Sequence, residues 1–117
     1  ETQMALTETF RTGHFLLSEA SGTRSREEVT IDLAAAAMVP GTVVSKLTAT
    51  GKWVAYDDVG TDGSEVAAGI LYAAVADSAA DQKGVVLVRD CEVTGSRLTG
   101  SNANAVADLK ALGIIVR

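Results

Sequence analysis

The chain has 117 residues and a mass of 12.0 kDa, enough for one domain and cramped for two. Hydrophobic residues make up 47% and mean hydropathy is +0.21, so a core can form and global disorder is excluded. A net charge of −5 leaves no excess of lysine and arginine to neutralise nucleic-acid phosphates or an anionic membrane surface.

Residues 1–13 are polar and threonine-rich, with Thr2, Thr7, Thr9 and Thr12 set among Met4, Leu6 and Phe10. Threonine favours extended backbone and no helical stripe is present, so this stretch reads as an extended arm. Such an arm orders when something pairs with it; the plainer alternative is a frayed terminus with no role. Phe15, Leu16 and Leu17 form a short apolar run, and Ser21 with Gly22 makes a turn. From Val29 the pattern alternates. Val29, Ile31 and Leu33 face one way, Thr30 and Asp32 the other, as in a half-buried strand.

Residues 34–41 read as a loop closed by Pro40 and Gly41, a pair that suits a type II turn. Residues 42–49 are rich in β-branched side chains and predict a strand. Thr50, Gly51 and Lys52 then reverse the chain into a strand at 53–56, which makes a hairpin. Trp53 is expected to be at least partly buried there. Residues 57–64 form a loop with three aspartates and two glycines. Residues 66–76 carry two signals. Their alanines and the spacing of Val66, Ile70, Leu71 and Val75 suit a helix; the central Gly69 and the continuous apolar run suit a buried strand, the reading preferred.

Residues 77–84 are a second polar loop. Residues 84–93 predict a strong strand whose apolar run is broken by Arg89 and Asp90. After a loop at 94–100, residues 102–112 predict the one helix. Ser101 or Asn102 can cap it, Val106, Leu109 and Leu112 line one side, and Gly113 suits the position after its end. Ile114, Ile115 and Val116 are too apolar to stand in water and are expected to dock as a short strand. About six strands and one late helix exclude a doubly wound sheet.

The rare residues limit the chemistry. One cysteine, Cys91, rules out an internal disulfide, and Cys91 with the one histidine, His14, falls short of a structural zinc site. Cys91 reads as a small buried side chain. His14 sits at the end of the arm, a poor platform for a catalytic base. No phosphate-cradling glycine motif and no nucleophile elbow occur. The loop beginning at Asp58 matches a calcium-binding EF-hand at positions one, five and six, but has Gly60 at position three and Gly69 at position twelve. Its aspartates and glycines read as turn formers. Residues 57–81 hold six acidic and no basic side chains, one acidic edge. No apolar run approaches the roughly 18 residues of a membrane span, so the chain is expected to be soluble, with no cofactor and no metal. Phe10 and Phe15 flank the junction of arm and domain, where each ring either anchors to a partner or packs inside.

Several stretches together resemble the lambda-type bacteriophage head decoration proteins. These are residues 41–57 (GTVVSKLTATGKWVAYD), 61–72 (TDGSEVAAGILY), 84–93 (GVVLVRDCEV), 109–117 (LKALGIIVR) and 25–31 (SREEVTI). The resemblance rests on their order and spacing across most of the chain. It implies a mainly β, small α+β domain of the β-clip type, with an extended N-terminal arm and one short C-terminal helix. It implies that residues 66–76 are strand. It implies a non-enzymatic protein on the outer surface of the virion's expanded head. There the chain docks as a homotrimer on the major capsid protein and stabilises the shell against packaged DNA. The arm would be residues 1–14 and the decoration domain 15–117. Leu6, Thr7, Glu8, Thr9, Phe10, Arg11, Thr12 and Phe15 are then the expected capsid-binding residues, and the loop 94–102 is expected to vary among members.

Arg11, Arg24 and Arg26 either pair with carboxylates of the shell or are ordinary solvated charges. Two other classes compete: a β-rich binding module of a phage tail or spike, and a small enzyme. The first would bind a receptor or tail partner instead of heads. The second would need a cleft holding perturbed carboxylates.

Overall fold

The computed structural model describes residues 12–22, 24–32, 37–76 and 80–117. Leu33 and the loop residues 34–36 of the sequence reading lie outside them, as do 77–79. The β-branched and apolar runs form eight strands. In chain order these are β1 (Leu16–Glu19), β2 (Arg26–Ile31), β3 (Val43–Lys46), β4 (Trp53–Ala55), β5 (Gly69–Leu71), β6 (Gln82–Leu87), β7 (Cys91–Val93) and β8 (Ile114–Val116). A 3₁₀ turn at Gly95–Arg97 and helix α1 (Ala103–Ala111) separate β7 from β8. The fold is mainly β with one helix near the C-terminus, as expected.

Five strands close into a barrel in the order β2-β4-β3-β5-β6. The β3–β4 hairpin pairs Ser45 with Val54, and β2 runs antiparallel to β6 over six pairs from Arg26–Leu87 to Ile31–Gln82. The circle is completed by β5, which joins β3 and β6, and by a parallel pairing of Ile31 with Trp53. Closure leaves these five strands without a free edge. A separate three-stranded sheet has β7 at its centre, antiparallel to β1 and parallel to β8.

Side-chain alternation on three strands ties the two sheets together. Val43 of β3, Ile70 of β5 and Leu87 of β6 point into one core with Phe15, Val93, Leu109 and Ile114. Their neighbours Val44, Leu71 and Val86 point into the other, inside the barrel, with Val29, Ile31 and Trp53. Successive side chains of a strand face opposite ways, so a strand covered on both faces must be apolar throughout. That accounts for the unbroken apolar runs at 69–71 and 85–87. Trp53 is 7% exposed, as expected of the hairpin tryptophan.

The reversal before β3 is the expected type II turn: the Thr42 amide donates to the Val39 carbonyl at 3.2 Å and Gly41 has φ +93°. Two expectations are corrected in detail. The strand expected at 66–76 is confined to Gly69–Leu71, with Val75 making only an isolated bridge to Met38 and Val66 lying 53% exposed. The strand expected at 84–93 is two strands in different sheets. At the break Asp90 adopts φ +51°, a conformation that aspartate tolerates better than most residues, and its carbonyl accepts from Ser25 Oγ at 2.9 Å.

Helix α1 begins where Asn102 Oδ1 accepts the Ala105 amide at 2.9 Å. Gly113, at φ +85°, ends it and turns the chain into β8. Its inward face is Ala105 and Leu109, one turn apart. Val106 is half-buried, and Leu112, expected in the stripe, is 39% exposed. The helix stops at Ala111, and the chain is already leaving it at Leu112.

Candidate functional site

The described chain begins at the base of the expected arm. Thr12 is exposed. Gly13 then turns with φ +67°, and its amide donates to the Tyr72 carbonyl at 3.0 Å. A Cβ at Gly13 would lie 3.0 Å from the Tyr72 ring, so the tight approach and the positive φ together favour glycine. The Leu16 amide closes this turn on the Gly13 carbonyl at 3.0 Å. The next carbonyl, that of His14, accepts from an Arg97 guanidinium nitrogen at 2.8 Å. Phe15 is fully buried, its carbonyl taking the Thr94 amide at 2.8 Å. Three consecutive residues are thus held before β1 starts, Gly13 by Tyr72 and the next two by the turn at Thr94 to Arg97.

An ionic and aromatic stack sits beside this turn. The Arg26 guanidinium lies 4.0 Å from the centroid of the Tyr72 ring. Both of its edge nitrogens donate to Glu19, Nε at 3.0 Å. This two-point bond, with further attraction from Glu19 and Tyr72, holds the Arg26 proton more firmly than usual. Arg26 is therefore committed within the domain, which corrects its reading as a spare cation for the shell. Arg24 lies 3.6 Å from Asp90, both side chains largely exposed.

Of the expected capsid-binding residues, Leu6, Thr7, Glu8, Thr9, Phe10 and Arg11 lie outside the described residues. Thr12 is exposed at the start of the described chain. Phe15 is corrected: its ring is in the core with Val43 and Ile70, so it roots the N-terminal segment and has no surface to offer. Gly13, Tyr72, Arg97 and Glu19 were not singled out from sequence. A glycine ending a threonine-rich stretch was a usable signal; the carbonyls of His14 and Tyr72 carry none.

The remaining candidate groups serve structure. Burial, followed by the charges of Glu19 and Asp90, pushes the Cys91 thiol up to about 11, so it stays protonated near neutrality. In the aspartate-rich loop, Asp57 Oδ1 accepts the Val59 amide, and Asp62 Oδ1 accepts both the amide and the hydroxyl of Ser64. Asp58 Oδ1 accepts from the Tyr56 hydroxyl at 2.7 Å and from Asn104 at 3.1 Å. The hydrogen bond from Tyr56 lowers the Asp58 carboxyl, and that from Ser64 lowers Asp62. A lowered native value contributes stability above the unfolded value near pH 4, and that contribution is lost as pH falls through the native value. Asp62→Asn keeps an acceptor for Ser64 but removes the titration. Its melting temperature should decline less steeply than that of the parent below about pH 4 in thermal scans.

A shallow cleft of about 320 Å³ lies along β1 and β7, lined by Glu19, Arg24, Asp90 and Cys91. The Arg24–Asp90 contact and the Glu19–Arg26 pair occupy its charges. Among the described residues, no three histidine, cysteine or carboxylate side chains come together in a way that could hold a metal ion.

No curated protein matches the sequence. The family described as "Bacteriophage lambda head decoration protein D" matches residues 5–114, a span covering both cores, the arm's root and all but the last residues of β8. The chain belongs to that family of structural head decoration proteins of the bacteriophage capsid.

Proposed function

We propose that this chain is a cement protein of the expanded phage head. It docks as trimers on the outer surface, contacts the major capsid protein and stabilises the shell against the pressure of packaged DNA. Residues 1–14 form the binding arm and residues 15–117 the decoration domain. The observation that carries this reading is the anchored turn at Gly13 to Phe15, which gives the preceding segment a fixed point of departure from the domain. A threonine-rich segment suits main-chain pairing with an exposed strand edge of the lattice. Ordering such a segment costs conformational entropy, so one arm binds weakly; three on one trimer recover affinity through effective concentration.

Co-sedimentation with undecorated heads tests the reading. Saturable binding to expanded heads and none to unexpanded proheads is the expected result, with chains bound in multiples of three per lattice site. Absence of binding to either particle would redirect the protein to a tail or spike.

A further inference from the structure

We propose that Arg97 and Gly13 are positioning residues for head binding: they clamp the arm's root so that the arm leaves the domain in one direction. The proposal rests on the reading that the N-terminal arm carries the binding. Its basis is the set of bonds on two consecutive residues. The Gly13 amide reaches the Tyr72 carbonyl, and Arg97 reaches the His14 carbonyl from a loop 83 residues away in sequence. Neither bond belongs to a sheet ladder, and Arg97 itself is exposed.

Other contacts make the clamp stiff. The Tyr72 ring is covered by Arg26, which is itself held at two points by Glu19 of β1. The ring therefore presents a stiff wall against Gly13, where a Cβ would sit only 3.0 Å from it at a φ of +67° that favours glycine. Next to Gly13 and His14, Phe15 is buried in the core. The globular core does not need Arg97, whose side chain contributes to neither apolar cluster. What its bond to His14 does is remove freedom from the chain just before the arm. A segment whose base is already ordered loses less entropy on docking. Three arms in a trimer also reach their sites together only when each starts from a defined place.

The clamp is read locally by trypsin. Arg11 is the first lysine or arginine of the chain, and the next is Arg24. A protease cleft takes extended residues on both sides of the bond it cuts, so cleavage after Arg11 draws on the freedom of Thr12 to His14. The variants are Arg97→Ala, Arg97→Lys and Gly13→Ala, each in the full chain. Arg97→Ala deletes the donor to the His14 carbonyl, and Gly13→Ala keeps its amide but crowds the Tyr72 ring at a left-handed φ; either change weakens local closure roughly two- to tenfold. Arg97→Ala and Gly13→Ala should therefore be cut after Arg11 up to about tenfold faster than the parent, followed by mass spectrometry. Their affinity for expanded heads should fall by a similar factor, while the melting temperature of Arg97→Ala stays within a few degrees of the parent's. Arg97→Lys, which keeps a donor in reach of the His14 carbonyl, should recover most of both losses.

Parental cleavage and parental affinity in Arg97→Ala would overturn the clamp. So would faster cleavage with unchanged affinity, because the root would then be held without bearing on binding. Removal of residues 1–11 separates this from failure of the arm reading. If that truncation abolishes binding while Arg97→Ala binds as the parent does, the arm stands and the clamp falls. If the truncated chain still binds, the arm reading itself has failed and the clamp with it.

Discussion

A chain lacking residues 1–11 should melt within a few degrees of the full-length protein and should lose binding to expanded heads. The first half follows from where the cores are. Both apolar clusters are built from Phe15 onward, and the anchoring bonds of Gly13, His14 and Phe15 remain in the truncated chain. Thermal scans of the two proteins at equal concentration measure this. The second half follows from avidity. Linking weak sites raises the overall affinity by about 10²–10⁴-fold, so an assembly held by arms fails as a whole when they are removed. A peptide of residues 1–14 should bind heads only weakly and compete at high concentration. Saturation of heads by the truncated protein would place the contact surface on the domain body. The exposed Leu17 of β1 and Ile115 of β8 would then be the first residues to substitute.

The elements legible in the sequence are those whose signals are local. The β3–β4 hairpin is bounded by Pro40 and Gly41 on one side and a polar reversal at 50–52 in its middle, with β-branched residues between. Helix α1 carries its own cap in Asn102 and its own stop in Gly113. The break between β6 and β7 is different. Arg89 and Asp90 visibly interrupt the apolar run, but a polar interruption does not say whether the chain resumes in the same sheet. Here it changes sheets, and only the long-range pairing of β7 with β1 and β8 decides that.

The same limit holds at the arm's root. Threonine content marks the segment, and the family resemblance assigns it a role. Arg26 looks like any surface cation until Glu19 and Tyr72 are brought to it, one from β1 and the other from beyond β5. The His14 carbonyl exists in every residue, so its selection by Arg97 leaves no trace in composition. Phe10 and Phe15 have the same side chain, though Phe10 lies between Thr9 and Arg11 and Phe15 opens an apolar run with Leu16 and Leu17. The residues after Phe15 enter β1, which delivers its ring to the space between the barrel and the second sheet.

That placement makes Phe15→Ala the most damaging single change expected near the arm. The ring is fully buried against Val43, Ile70 and Leu87, and the His14 ring meets it edge-on at 5.9 Å between centroids. Truncation removes the ring's transfer free energy and leaves a cavity bounded by closed barrel strands, which have little freedom to collapse into it. The cost is about 3–5 kcal/mol, against a total stability of about 5–15 kcal/mol for a domain of this kind. At a few degrees per kcal/mol, the melting temperature should fall by roughly 10–25 °C. The urea midpoint should fall with it at unchanged slope. Phe15→Leu refills much of the space and should cost far less, about 1–1.5 kcal/mol. Because that variant keeps the root in place, it should bind heads as the parent does at temperatures where both are folded. A Phe15→Ala chain that melts with the parent but fails on heads would return this ring to the contact surface. The burial of Phe15 requires the opposite order: stability falls first, and binding is lost only through unfolding.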